Sequence, residues 1–248
     1  MKIALIGYGK MGKAIEQIAL QRGHEVLMKV TENNHENYTL DNLKQANVAI
    51  EFTQPGAAFE NVKKCFEASV PVVCGTTGWN EKLEEAKKLC KEKNAGFFYA
   101  PNYSIGVNMF FEINKKLAAM VANFQDYNQI WITEAHHTEK KDMPSGTAIR
   151  LAEDMLQQIK RLHSWKSYHS GHLMSDEEES DGTILPINSL RISDVSGIHE
   201  VNYESEEDCI EIIHQAKGRA GFAKGAVMAA EFMVGKKGVY GMNDLLGY

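Results

Sequence analysis

The sequence predicts an α/β fold: a doubly wound parallel sheet wrapped by helices, followed by a second region of different texture. Three observations predict it. Short apolar runs alternate with helical stretches through the first hundred residues, and strands buried on both faces by such helices read as unbroken apolar runs. A glycine-rich turn, Gly7-Tyr8-Gly9-Lys10-Met11-Gly12, joins the first run to the first helix. From about Ser104 a long helix and a set of later strands replace the regular alternation.

Each element follows in order. Lys2 to Ile6 is a short apolar strand, and Met11, Ala14, Ile15, Ile18 and Ala19 then mark one face of a helix. Gly23 closes that helix and Glu25 to Val30 is the second strand. Val48 to Phe52 is the third, a helix runs from about Gly56 to Ser69, and Val70 to Cys74 is the fourth strand. Glu81 to Lys93 is a charged helix and Gly96 to Tyr99 the fifth strand. Beyond Ser104 the pattern gives a helix over Asn108 to Asn123, a strand over Gln129 to Glu134, and a helix reaching about Leu162. Ile184 to Ile192, Gly197 to Tyr203 and Asp208 to Gln215 read as antiparallel strands, and Lys224 to Val234 as a helix followed by a tail. The acidic run Asp176 to Asp181 reads as a solvated loop.

Composition narrows the function classes. The 248 residues suffice for one large domain or two small ones, and 44% hydrophobic with 24% charged residues is ordinary for a globular protein. A net charge of −6 argues against a nucleic-acid partner, which favours a basic face. No apolar run approaches the roughly 20 residues that span a bilayer, and the N-terminus enters a strand without a basic lead, so cytoplasmic residence is expected. Cys65, Cys74, Cys90 and Cys209 form no C-x-x-C pair and have no histidines at zinc spacing, so they are expected as reduced thiols in or near the core, with no metal.

The glycine turn has a specific use. Gly7 makes the tight turn, Gly9 lets the backbone approach a pyrophosphate, and Gly12 lets helix pack on strand, with the helix N-terminus facing the negative charge. Tyr8, Lys10 and Met11 share that loop. NADH or NADPH is the expected cofactor. The ribose reader should lie at the end of the second strand, where Thr31 and Glu32 both stand as candidates, and Lys29, the nearby cation, is expected to point away. Gly75-Thr76-Thr77 and Ala100-Pro101-Asn102-Tyr103 follow the fourth and fifth strands, at the sheet edge where such folds bind ligands.

The most informative stretch is Glu134-Ala-His136-His137-Thr-Glu-Lys140-Lys-Asp-Met-Pro144-Ser145-Gly146-Thr147-Ala148. Pro144 and Ser-Gly-Thr-Ala start a helix, whose free N–H groups and dipole favour a carboxylate. Ser145 and Thr147 offer hydroxyls, Lys140 a positive charge, and an imidazole beside them the proton that must follow hydride addition. Adjacent histidines on a continuing strand face opposite ways, so only one of His136 and His137 should point into a site unless the chain turns.

These residues resemble the dihydrodipicolinate reductase family. The resemblance covers nearly the whole chain and includes Phe52-Thr53-x-Pro55, Gly75-Thr76-Thr77-Gly78, Ala100-x-Asn102-Tyr103-Ser104, Arg219-x-x-Phe222-Ala223-x-Gly225-Ala226 and Gly238-Val239-Tyr240-x-Met242. It implies a Rossmann-type sheet plus a second α+β domain with an open mixed sheet that builds a homotetramer in relatives. It implies a split first domain, residues 1–103 and 219–248, around a second, residues 104–218, with hinges near Tyr103 and Arg219. It implies nicotinamide-dependent reduction of a small dicarboxylate in the diaminopimelate branch of lysine synthesis, with hydride delivered to ring C4. His136 would then donate the proton, Lys140 would bind and polarise the substrate, and His137, Ser145, Gly146 and Thr147 would hold the ring substituents. Arg219 matches a family position near the cofactor. Thr31 stands where an acidic residue is common in the family, so the choice between NADH and NADPH stays open. Two rivals remain: a reductase of another small carboxylate, and a non-catalytic NAD(H)-binding regulator, since fold alone does not fix function.

Overall fold

A computed structural model describes residues 1–31, 33–34, 37–169 and 182–248. Glu32 and the run Asp176 to Asp181 lie outside the described residues. The chain divides into two compact units, Met1–Asn108 with Arg219–Tyr248, and Met109–Gly218.

The first unit is a six-stranded parallel sheet. Its strands are β1 (Lys2–Ile6), β2 (Glu25–Val30), β3 (Val48–Glu51), β4 (Val72–Cys74), β5 (Gly96–Tyr99) and β11 (Gly238–Tyr240), in the order β11-β5-β4-β3-β1-β2. The crossovers are α1 (Lys10–Gln21), the short α2 (Leu40–Leu43), α3 (Pro55–Glu67) and α4 (Leu83–Glu92). Apolar content decides the pattern: every residue of β3 and β4 is buried, so neither shows alternation. Strand order reverses between β2-β1 and β3-β4, and a parallel sheet binds ligands outside its carboxyl edge at that switch point. Pro55 begins α3, where its missing N–H costs nothing.

The end of the chain completes this unit. Helix α7 (Ala220–Met233) places Ala223, Ala226, Val227, Ala230 and Met233 in one core with Ile3, Leu5, Ile15, Val73 and Phe98. At Gly225 a Cβ would lie 1.7 Å from the Tyr103 carbonyl oxygen, so only glycine permits that crossing. The sequence pattern gave this region a helix and a tail; the tail contains β11, paired in parallel with β5, and α8 (Met242–Leu246).

The second unit is a five-stranded mixed sheet, β10-β9-β6-β8-β7. The strands are β6 (Gln129–His136), β7 (Ser164–His169), β8 (Ile184–Arg191), β9 (Ile198–Glu204) and β10 (Cys209–Gln215). Within this unit α6 (Gly146–Gln158) and the part of α5 (Ile105–Val121) beyond Met109 share hydrogen bonds: Asn114 Nδ2 donates to the Leu151 carbonyl at 3.3 Å. The Tyr203 hydroxyl donates to Asn114 Oδ1 at 3.3 Å, tying β9 to α5. Ile132, Leu151, Met155, Leu185, Ile187 and Val201 are fully buried.

Three expectations change here. β9 runs antiparallel to both β6 and β10, but β8 is parallel to both β6 and β7; direction is not carried by the alternation that marks a strand. Helix α6 stops at Gln158, with Ile159 already extended, and β7 follows where no strand was expected. All four cysteines are free, yet Cys209 is exposed at the start of β10 rather than near the core. Among the described residues, no helix is long and apolar enough to cross a membrane.

Candidate functional site

In the first unit the glycine loop follows β1 at the switch point. Gly7 has φ +93°, and a Cβ there would meet the Phe52 carbonyl oxygen at 2.0 Å. A Cβ at Gly12 would meet the Gly7 carbonyl oxygen at 2.4 Å, which brings α1 tight against the turn. Gly9 differs: it is the N-cap of α1, no side chain caps the helix, and nothing lies within 4 Å of the Cβ position. Uncapped N–H groups beside an open glycine fit a pyrophosphate approaching the backbone. Lys10 and Met11 lie in the first turn, with Lys10 exposed.

Lys29 does not point away. Its Nζ is 2.8 Å from Glu16 Oε1 and 5.0 Å from the centroid of the Tyr8 ring, and the Tyr8 hydroxyl also donates to Glu16. Thr31 follows β2, its N–H and hydroxyl both directed to Asn34 Oδ1 at 2.7 and 3.1 Å. After β4, the Gly75 N–H donates to the Glu51 carbonyl at 2.9 Å, and Thr76 Oγ1 accepts from the Thr53 N–H at 2.8 Å. Thr77 is exposed. After β5, Ala100 is buried, Pro101 exposed and Asn102 half-buried, its Oδ1 accepting from Ser104 N–H at 2.9 Å. Tyr103 is a core residue whose hydroxyl donates to the Cys74 carbonyl at 2.8 Å. Arg219, the N-cap of α7, is exposed. Cys74 is inert: burial, then the nearby Glu51, pushes its thiol well above the usual range.

The second unit gathers the reactive stretch. His136 ends β6, and its Nδ1 is hydrogen-bonded to Oε2 of the fully buried Glu134, two residues earlier on the same strand face. Arg191, paired with His136 in the β6–β8 register, donates from Nη1 to Glu134 Oε1 at 3.0 Å and from Nη2 to the Asp142 carbonyl at 2.8 Å. The Asp142 carboxylate holds Lys140 Nζ at 2.7 and 2.8 Å. One connected chain of bonds therefore runs His136, Glu134, Arg191, Asp142, Lys140.

Ser145 is the N-cap of α6: its Oγ accepts from the Ala148 N–H at 3.2 Å and meets His199 Nε2 at 2.8 Å. The sequence pattern offered that hydroxyl to a ligand; here it caps the helix and meets His199. Gly146 and Thr147, the first-turn residues, keep N–H groups that no earlier helical residue can receive, and nothing lies within 4 Å of a Cβ at Gly146. His137 is half-buried and its Nδ1 is buried without a hydrogen-bond partner among the described residues.

The two buried imidazoles, His136 and His199, have their ring centroids 5.0 Å apart, edge to face. Their environments differ. Burial, reinforced by the field of His136, pushes His199 down to about 3. Burial also opposes ionisation of Glu134, but the bonds from His136, Arg191 and Ser189 outweigh it and hold the carboxyl down to about 2. His199 is thus a neutral partner for Ser145, while the full negative charge of Glu134 sits beside His136. Glu134, His136 and His199 bring ligand-type atoms within 4.8 Å of one another. Those of Glu134 are engaged by His136 and Arg191, and Nε2 of His199 by Ser145, which makes the cluster a proton-bonded network.

Sequence reasoning gave no role to Glu134, Asp142, Arg191, Gly197 or His199. Glu134 could have been found by alternation, since it shares a strand face with His136. Asp142 lies two residues from Lys140 within the reactive stretch itself, whereas Arg191 and His199 arrive through strand register, which no local pattern shows.

Comparison with known proteins agrees over both units. Residues 1–103 match the family model for the dihydrodipicolinate reductase N-terminus, and residues 106–246 match the model for its C-terminus. The chain is 45% identical over 246 residues to the 4-hydroxy-tetrahydrodipicolinate reductase of Christiangramia forsetii, covering 99% of this chain and 98% of that one. It is 34% identical to the enzyme of that name from Staphylococcus aureus, covering 99% and 100%. Among solved structures, the dipicolinate-bound dihydrodipicolinate reductase from a Paenisporosarcina species superposes with a TM-score of 0.75 at 23% identity, over 98% of each chain. The amine dehydrogenase of Mycobacterium smegmatis shares the fold at a TM-score of 0.59 and 11% identity, over 96% of this chain and 94% of that one.

Proposed function

This chain belongs to the dihydrodipicolinate reductase family of NADH- or NADPH-dependent oxidoreductases, and we propose that it reduces 4-hydroxy-tetrahydrodipicolinate to tetrahydrodipicolinate. The reaction is the second step of the diaminopimelate branch of lysine synthesis, carried out in the cytoplasm by a homotetramer. The observation that carries this reading is the bonded chain from His136 through Glu134, Arg191 and Asp142 to Lys140, beside the α6 N-terminus.

The first unit binds the nicotinamide cofactor, which when bound supplies the hydride that adds at ring C4. Gly7, Tyr8, Gly9, Lys10, Met11 and Gly12 receive the pyrophosphate, with further contacts from Thr31, Gly75, Thr76, Thr77, the backbone of Ala100, Pro101 and Asn102, and Arg219. The second unit binds the dicarboxylate. The Gly146 and Thr147 N–H groups and the Thr147 hydroxyl receive one carboxylate. Lys140 exchanges Asp142 for the substrate, the half-buried His137 meets a ring substituent, and His136 delivers the proton that completes reduction. The dipicolinate bound to the Paenisporosarcina enzyme supports a dicarboxylate as the occupant.

The test follows absorbance loss of NADH and NADPH, with substrate formed in place by the preceding synthase from pyruvate and aspartate semialdehyde. Oxidation dependent on both synthase substrates is expected, and the two rates give the cofactor preference. Cofactor binding without oxidation would point instead to a regulator or to a different carboxylate. In the same assay His136→Ala and Lys140→Ala are each expected to lower turnover at least about a hundredfold while leaving NADH affinity unchanged.

A further inference from the structure

We propose that Glu134 is a positioning residue for the proton donor: its carboxylate holds Nδ1 of His136, and the bare Cα of Gly197 leaves the opposite ring edge clear, so that Nε2 delivers the proton. The inference rests on His136 being the donor, as read above, and adds which nitrogen acts and what fixes it.

Nδ1 is committed. Glu134 is fully buried and accepts from it through Oε2, while Arg191 occupies Oε1 at 3.0 Å and stops the carboxylate from swinging away. Arg191 is itself fixed by the Leu190 and Asp142 carbonyls at 2.6 and 2.8 Å. A carboxylate accepts only, so Nδ1 carries the hydrogen. Nε2 is the remaining nitrogen, and it makes no hydrogen bond with any described residue.

The Nε2 edge is kept open by a missing side chain. A Cβ on Gly197 would stand 3.1 Å from Nε2 and 3.2 Å from Cδ2 of His136, and the φ of +150° there is one that L residues rarely adopt. Gly197 is held in place by the bond from the Ala216 N–H to its carbonyl, 2.8 Å long, just ahead of β9. The charged and titratable groups facing His136 are Glu134 on β6, Arg191 on β8, His199 on β9, and Lys140 with Asp142 in the segment after β6. Among the described residues only Glu134 bonds to the ring itself. Removing its carboxylate releases Nδ1 and lets the ring turn, while the other four stay in place.

The test compares Glu134→Gln, Glu134→Ala, Gly197→Ala and His136→Ala in the coupled assay. Glu134→Gln keeps an acceptor oxygen but loses the charge. Its kcat is expected to fall on the order of tenfold, and that of Glu134→Ala about a hundredfold. In a His136→Ala background Glu134→Gln should lower kcat no further, because Glu134 acts only through that ring. Substrate KM and NADH affinity should stay within about twofold, since neither residue is placed on substrate or cofactor. Gly197→Ala should also lower kcat without raising KM; if strain there prevents folding, Glu134→Gln carries the test alone. A Glu134→Gln enzyme with wild-type kcat, beside an inactive His136→Ala, overturns the positioning role and leaves the donor assignment standing. Full activity in His136→Ala as well would overturn the reading on which it rests.

Discussion

At the scale of single residues, the glycines of the first loop separate folding from binding. Gly7→Ala forces a β-carbon onto the Phe52 carbonyl from a left-handed backbone, and is expected to cost at least about 2 kcal/mol in urea unfolding. Gly9→Ala meets nothing within 4 Å, so stability should stay within about 0.5 kcal/mol while NADH affinity, read by fluorescence titration, drops at least about tenfold. Equal effects of the two substitutions on stability would contradict this division. The buried titratable groups make a second prediction. Glu134 has its acidity strengthened by folding to about 2, so the stability it contributes is full above its ordinary value near 4.5 and is lost as pH falls through about 2. His199, kept neutral down to about 3, favours unfolding progressively as pH falls below 6.5, because only the unfolded imidazole then takes a proton. Thermal midpoints of wild type and His199→Asn should therefore converge between pH 6.5 and pH 3. His136, Lys140 and the Ser145-Gly146-Thr147 turn were legible in sequence because they sit within a dozen residues of one another. Arg191 and His199 were not, since strand pairing brings them in from β8 and β9.

At the scale of elements, α6 is anchored from outside itself. Ser145 caps it while bonding His199 on β9, so Ser145→Ala removes a cap worth about 1 kcal/mol and strands a buried ring nitrogen costing about as much again. A fall of about 2 kcal/mol in unfolding free energy is expected, and a loss below a few tenths would mean that His199 bonds elsewhere. Strands of the first sheet were legible as unbroken apolar runs because both of their faces are covered. The second sheet was harder. There β7 stayed hidden because Ser164-Trp-Lys-Ser-Tyr-His169 is mostly polar, and in the first sheet β11 stayed hidden because Gly238-Val-Tyr240 is only three half-buried residues. The direction of β8 was misread because parallel and antiparallel partners share the same two-residue period.

At the scale of the whole molecule, the second unit leaves apolar side chains in water. Met109, Ile113, Met120 and Phe124 are exposed at spacings that share one side of α5 and its extension, and Ile213 is exposed on the edge strand β10. Surfaces of that kind mark contacts with other chains. Sedimentation equilibrium is expected to give a tetramer, and Ile213→Glu to weaken assembly at least tenfold, about 1.4 kcal/mol. A wild-type monomer would end the assembly reading.

The return of the C-terminal residues to the first sheet has a consequence for synthesis. A ribosome releases β1 to β5 early, yet the face formed by Ile3, Leu5, Val73 and Phe98 has only Ile15 and Ala19 of α1 against it until α7 arrives. At roughly 5–20 residues per second, the stretch between Tyr103 and Arg219 keeps that face only partly covered for on the order of ten seconds. Meanwhile the inserted unit, contiguous in the chain, can close around its own core. The part translated first is thus finished last, and during that interval the nascent chain is a natural client for a chaperone that binds apolar sheet.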